Sequence, residues 1–246
     1  MIVMNLGVRQ VSNGVKWGAR MKSNSSGRWL QRQLDDFLVK QSKTDHYRSR
    51  AAYKLIELDK KFRLFNKNTK NIVDLGFAPG AWTQVAIERC KKLHVHPSNI
   101  LGIDLINCSP PEGSHFIQGD ILSKKTHQDI RHHFGGASLH PVDLVMSDMM
   151  SNTSGIKDND HYSSMDLCDA AIILSYNLLT ENGNLVMKFF TGKEDELLMV
   201  KLQKMFKNVY RMKPSACRNE SREMYVIAMK RKNINLSLTE ILLTNK

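Results

Sequence analysis

The sequence predicts an α/β fold: a mostly parallel seven-stranded sheet that ends in an antiparallel hairpin. Three observations carry that expectation. Short apolar runs alternate along the chain with stretches of helical periodicity, the pattern of a doubly wound sheet. The segment Asp74-Leu75-Gly76-Phe77-Ala78-Pro79-Gly80-Ala81-Trp82 reads as a strand turning sharply into a helix. The link 214–222, between the last two apolar runs, is too short for a helical crossover, so those two strands must run antiparallel.

The elements follow in order. Tyr47, Ala51, Leu55, Leu58 and Phe62 recur at spacings of three and four, which predicts one amphipathic helix over 45–62 with Asp45 as its N-cap. Lys54 follows Ala51 by three positions and so lies beside the apolar face. Strands are then expected at 72–75, 100–105, 116–121, 142–149 and 184–190. Helices are expected at 82–93, 124–134 and 164–179, the last ended by Asn182-Gly183. A helix over 194–206 and strands at 209–213 and 223–230 complete the fold. The tail, 232–246, carries Leu236, Leu238, Ile241, Leu242 and Leu243 in too irregular a pattern to assign; a frayed end and a short docked helix both fit.

At 246 residues with 41% hydrophobic content, the chain can bury one good core and is read as one main domain. No apolar run approaches the ~18 uninterrupted residues of a membrane-spanning helix. Cys90, Cys108, Cys168 and Cys217 lie far apart without a Cys-x-x-Cys pair, so neither a zinc site nor a disulfide framework is expected. His94/His96 and His132/His133 lack carboxylate or cysteine partners nearby and read as surface positions; no metal is expected.

The net charge of +12 is unevenly placed. Residues 1–70 carry 16 Lys and Arg against 5 Asp and Glu, whereas 71–246 carry 20 against 19. A basic region on an otherwise balanced domain is the footprint of a polyanion binder, with nucleic acid the first candidate. Residues 1–34 hold six basic residues, interspersed serines and no acid, the composition of a mitochondrial transit segment. A flexible RNA-binding arm is the competing reading. If 1–34 only targets the chain, the RNA-docking cations are Lys40, Lys43, Arg48, Arg50, Lys60 and Lys61 around the first helix.

Four charged residues stand at telling places. Asp148 closes the apolar run 142–148, Lys188 sits inside the run 184–190, Glu223 opens the run 223–229, and Lys54 rides the helix ahead of the first strand. A lone charge in such a run is costly to bury, so partners are expected. In the loop after the first strand, a dinucleotide fingerprint would need Gly where Ala78 stands, and Pro79 removes a backbone donor, so pyrophosphate binding is disfavoured. Asp104 ends the second strand 24 residues after Gly80, near the spacing of a ribose-binding carboxylate. Asp120, at the end of the third strand, can accept from an adenine amine. A mostly parallel sheet with a terminal antiparallel hairpin, and a loop unsuited to phosphate, fit a Rossmann-like S-adenosylmethionine-dependent methyltransferase.

The segments 74–82, Met146-Ser147-Asp148-Met149, Val186-Met187-Lys188 and Ser221-Arg222-Glu223-Met224-Tyr225 resemble the FtsJ/RrmJ family of RNA 2′-O-ribose methyltransferases, as does Ser49-Arg50-Ala51-Ala52-Tyr53-Lys54-Leu55. The resemblance covers about 42–231. It implies that Lys54, Asp148, Lys188 and Glu223 form a catalytic tetrad. It also implies that Gly76, Pro79, Gly80, Ala81, Trp82, Asp104, Asp120 and Asp148 line an S-adenosylmethionine site. The start of the chain is similar to the mitochondrial branch, which modifies large-subunit ribosomal RNA. The implied function is 2′-O-methylation of RNA, a uridine of that ribosomal RNA in the mitochondrial matrix. The alternatives are nuclear or cytoplasmic ribosomal or transfer RNA, or a ribosome-assembly role. One departure stands out: Met150-Ser151-Asn152 replaces the family's usual Ala-Pro-Asn after Asp-Met.

The chemistry asks for such a set. A ribose hydroxyl is a poor nucleophile and must be aligned and relieved of a proton. A buried lysine near a second cation can fall below its usual pKa of ~10.4 and serve as base, and two carboxylates keep the cluster near neutral.

Overall fold

The computed structural model describes residues 36–95, 99–136, 141–151 and 153–243. The basic segment 1–34, with its predicted targeting role, lies outside the described residues. From Phe37 onward the described residues form one compact unit. Its centre is a seven-stranded sheet in the order β3-β2-β1-β4-β5-β7-β6. The strands are β1 Asn71–Leu75, β2 Asn99–Asp104, β3 His115–Gln118, β4 Val142–Ser147, β5 Leu179–Phe190, β6 Phe206–Met212 and β7 Glu223–Arg231. The first five run parallel to one another, and β7 pairs antiparallel with both β5 and β6. The expected terminal hairpin is therefore present, with β7 inserted between β5 and the edge strand β6.

Among the described residues seven helices accompany the sheet: α1 Phe37–Thr44, α2 Ala51–Phe62, α3 Ala81–Lys92, α4 Lys124–His133, α5 Lys157–Leu178, α6 Asp195–Met205 and α7 Leu238–Leu242. Buried apolar residues fall into two clusters. One gathers α2 and α3 through Leu55, Leu58, Trp82 and Val85 against Ile72, Val186, Tyr225 and Ile227. The other gathers α5 and α6 through Ile172, Leu174, Leu198 and Leu202 against Val73, Val145, Leu185 and Val226. Alternate residues of one strand thus serve opposite clusters, the period of two that a sheet covered on both faces requires.

Several expected boundaries shift. The helix predicted over 45–62 is two helices, and Asp45 is not an N-cap. The chain turns at His46, whose φ is 59°, and Tyr47 N–H donates to Ser42 O at 2.8 Å. Asp45 instead accepts from the Tyr53 hydroxyl at 2.7 Å and from the Gln41 amide at 2.8 Å. The helix expected from 164 begins at Lys157; its first two turns bury the polar Asp160, His161 and Ser164, which apolar spacing does not mark. Asn182-Gly183 does not end that helix. Leu179 already pairs with Val142, and Asn182, at φ 63°, lies in an irregular stretch before pairing resumes at Asn184. Strand 142–149 stops at Ser147, strand 116–121 at Gln118, and strand 209–213 begins at Phe206. The tail contains the docked helix α7, started by a Ser237–Glu240 capping box and seated through the fully buried Ile241.

Candidate active site

The sheet's carboxyl edge assembles the site. β4 ends at Ser147, so Asp148 leaves the sheet there, and its N–H donates to Leu75 O at 3.1 Å. Lys188 and Tyr225 are direct cross-strand partners, and Phe190 pairs with Glu223. Because side chains alternate, Glu223 and Tyr225 share one face of β7, and α2 brings Lys54 over that face.

The four charges expected to form a tetrad converge as two coupled ion pairs. Lys188 Nζ lies 3.0 Å from Asp148 Oδ1 and donates to the Asp148 carbonyl at 2.7 Å. Lys54 Nζ donates to Glu223 Oε2 at 2.8 Å. Side-chain exposure is 7% and 15% for the first pair and 11% and 12% for the second, so each charge depends on its partners. Tyr225, which sequence reasoning left out of the site, joins the pairs: its hydroxyl donates to Asp148 Oδ1 at 2.7 Å, and Lys54 Nζ stands 5.9 Å from its ring centroid. The spacing Glu223-x-Tyr225 was the available signal, since it places both on one strand face.

The electrostatics follow from this packing. Burial pushes the Asp148 carboxyl up, but Lys188, Lys54 and the Tyr225 hydrogen bond override it and hold it below the usual carboxylate range. Burial likewise pushes the Lys54 ammonium down, and the carboxylates of Asp148 and Glu223 outweigh it, so its pKa is raised. Burial, with the Asp148 and Glu223 charges, drives the Tyr225 phenol well above its ordinary value and keeps it a donor. The Cys217 thiol beside Glu223 is pushed up to about 12 by burial and that charge, which leaves it unreactive.

The loop from β1 to α3 forms an adjoining cradle. Gly76 has φ 73°, and a Cβ there would stand 2.7 Å from the Met149 Cα; Gly80, at φ 97°, caps α3. Ala81 and Trp82 open the helix, where backbone N–H groups lack intrahelical acceptors and favour an anion. The Trp82 side chain is committed elsewhere: its indole donates to Ala51 O at 2.9 Å and packs 5.8 Å from Tyr225. Asp104 accepts from Ala78 N–H and Ile106 N–H at 2.8 and 2.9 Å, and Asp120 from Leu122 N–H at 2.9 Å. Both carboxylates keep lone pairs free, and Leu105, Ile106 and Leu122 stand exposed beside them. Under the loop, Asp74 is 1% exposed; Oδ2 accepts from Thr83 at 2.7 Å and Oδ1 has no partner. The half-buried Asp104 and exposed Asp120, an apolar slot, free helix-start amides and an orphaned buried acceptor fit a ligand with ribose, an aromatic base, a carboxylate and an amine. The donor set fits S-adenosylmethionine.

Arg48 and Arg50, expected as RNA-docking cations, are bound to the protein's own backbone. The Arg48 guanidinium donates to Pro79 O at 2.9 Å and Ser109 O at 2.5 Å, and that of Arg50 to Ala216 O. Both tie the start of α2 to loops at the site. Among the described residues no group of three or more His, Cys, Asp or Glu is arranged to hold a metal ion, and no helix is long and apolar enough to cross a membrane.

A Rossmann-like sheet with an antiparallel end hairpin, carrying a Lys-Asp-Lys-Glu cluster beside a glycine-proline turn, defines the methyltransferase class of α/β proteins. The FtsJ-like methyltransferase family model matches residues 47–231, and the chain belongs to that family. It is 36% identical to the mitochondrial rRNA methyltransferase 2 of Saccharomyces cerevisiae, over 87% of this chain and 90% of that one. It is 44% identical to the ribosomal RNA large subunit methyltransferase E of Erythrobacter litoralis, over 85% and 91% of the two chains. A solved structure titled as a ribosomal RNA methyltransferase of Plasmodium falciparum superposes with a TM-score of 0.64 at 32% identity, covering 75% of this chain and 98% of its own.

Proposed function

We propose that this protein transfers a methyl group from S-adenosylmethionine to a ribose 2′-hydroxyl of large-subunit ribosomal RNA, at a uridine, in the mitochondrion. The observation that carries the reading is the Lys188 ammonium, held by Asp148 at 2.7 and 3.0 Å at the open carboxyl edge next to the Gly76–Trp82 turn. The relatives' names support the ribosomal RNA substrate and, through the yeast protein, the mitochondrion.

S-adenosylmethionine, when bound, supplies an electrophilic methyl group. Asp104 and Asp120 would hold its ribose and adenine, with Leu105 and Leu122 flanking the base. The N–H groups at Ala81 and Trp82 would take its carboxylate, and Asp148 its amine side. Lys188 handles the proton. As an amine it accepts the hydrogen of the 2′-hydroxyl, and the ammonium so formed is the species Asp148 stabilises. With two of its three N–H directions committed to Asp148, the remaining one points the lysine at the ribose oxygen. Lys54 supplies the neighbouring cation, Glu223 anchors Lys54, and Tyr225 fixes the Asp148 carboxylate.

The test incubates the purified chain with labelled S-adenosylmethionine and mitochondrial large-subunit ribosomal RNA, then maps protected 2′-O-methyl positions. A single uridine methylated on its ribose is expected. Label on a base, or label only on transfer RNA, overturns the reading. Loss of a 2′-O-methyl mark from cytosolic rather than mitochondrial RNA after depletion would overturn the location.

A further inference from the structure

A concavity distinct from the active site lies elsewhere on the described surface. A cleft of about 990 Å³ opens at the opposite edge of the sheet, between the end of α2, the starts of β4 and β6, the irregular stretch of β5 and the end of β7. A second depression of about 430 Å³ continues it along the edge strand β6, and the two share Lys207. Seven residues of β7 separate Glu223 from Lys230, which at ~3.3 Å per residue puts the cleft roughly 23 Å from the catalytic pairs. No ligand of ordinary size reaches both.

The lining is basic and ready to meet an anion. Arg63, Lys67, Lys207 and Lys230 are exposed, and none of the four forms an ion pair among the described residues. Lys232 adds a fifth cation in the second depression. Against them stand Asp143 and Glu181. Asp143 is spent on structure, since one oxygen accepts the backbone N–H groups of Lys70 and Asn71 at 2.8 and 2.9 Å. Tyr210 is 44% exposed and rests on Phe62, ring centroids 5.3 Å apart, which leaves one aromatic face to solvent at the seam of the two depressions.

We propose that this trough is a second RNA-binding site, which grips the phosphate backbone of the substrate RNA away from the nucleotide being modified; the proposal rests on the RNA reading above. Cations spread along an elongated groove with an exposed aromatic fit a polyanion with bases better than a single small phosphate, whose site would gather its cations at one point. The trough contributes affinity for long RNA and no chemistry.

The experiment compares wild type with Lys67→Glu/Lys207→Glu, and with Lys91→Glu/Lys92→Glu on α3 as a control of equal charge change. Each is measured against a short single-stranded oligonucleotide that cannot span ~23 Å and against a base-paired hairpin of about 40 nucleotides. Lys67→Glu/Lys207→Glu is expected to weaken hairpin binding at least about tenfold and to lower the slope of log affinity against log salt by about 1.4–1.8, two phosphate contacts' worth. Oligonucleotide and S-adenosylmethionine binding should not change, and the control variant should keep the wild-type slope. Unchanged hairpin affinity and slope in Lys67→Glu/Lys207→Glu, with wild type binding normally, overturns the trough alone. An equal loss in the control variant reduces the effect to net charge and also overturns it. Wild type that binds neither RNA overturns the functional reading and the trough together. Circular dichroism confirms that the exposed substitutions leave the fold intact.

Discussion

Lys188→Met removes one ammonium from the cluster and keeps an unbranched side chain one atom shorter. The lost group lies 2.7 Å from the Asp148 carbonyl and 3.0 Å from its Oδ1, in a pair exposed by only 7% and 15%. Stranding one partner of a buried pair costs about 3–5 kcal/mol. Here the Tyr225 hydroxyl still donates to Asp148 at 2.7 Å and Lys54 remains a neighbouring cation, so the lower end, about 3 kcal/mol, is expected. For a domain of this size that is a fall in Tm of roughly 6–12 °C. Loss of the proton-handling group should cost a further ~10²–10⁴ in single-turnover methyl transfer. S-adenosylmethionine affinity, measured by calorimetry, should change little. Lys188→Met/Asp148→Asn restores neutrality and should recover most of the stability without recovering turnover, because no unpaired carboxylate is then left buried. Turnover in Lys188→Met within tenfold of wild type would remove the lysine from the chemistry. A double variant no more stable than the single one would refute the charge coupling.

Asp104→Asn should weaken S-adenosylmethionine binding by roughly 10–100-fold, the worth of a hydrogen bond to a charged group, and leave RNA affinity alone; equal cofactor affinity in calorimetry removes Asp104 from the site. Asp74 has its pKa raised by burial to about 8, with the Asp148 charge adding to it. A carboxyl raised in the fold contributes stability that is full below its unfolded value of ~3.9 and is lost as pH rises toward 8. Asp74→Asn should therefore match wild type in thermal stability near pH 4 and exceed it increasingly up to pH 8; a pH-independent difference contradicts the shifted group. Arg48→Ala/Arg50→Ala should lower Tm and cofactor affinity, since Arg48 bridges the Pro79 and Ser109 loops and Arg50 holds Ala216. Its RNA salt slope should move by less than the ~0.7–0.9 of one phosphate contact, and a larger change would return these arginines to the RNA surface.

Much of the architecture was legible along the chain because it is written in local periods. The order of the strands along the chain, the sharp turn at Gly76 and the antiparallel β7 follow from apolar spacing, glycine and the length of the 214–222 link, whereas the starts of β5 and β6 fall earlier than the spacing predicts. So did the candidacy of Lys54, Asp148, Lys188 and Glu223, each a charge where an apolar run makes one costly. Their pairing was not legible: that Lys188 takes Asp148 while Lys54 takes Glu223 depends on β7 lying beside β5 and on the angle of α2, both set by side-chain packing across the sheet. Tyr225 entered the site for the same reason, as the cross-strand partner of Lys188. The sequence likewise shows Arg48 and Arg50 only as positive charge. Only the folded chain shows that their guanidiniums donate to backbone carbonyls of three distant loops, and that Arg63, Lys67, Lys207 and Lys230 line one cleft at the other end of the sheet. Periodicity fixes which face a residue shares with its near neighbours; which distant groups it meets is decided by packing, which no local pattern encodes.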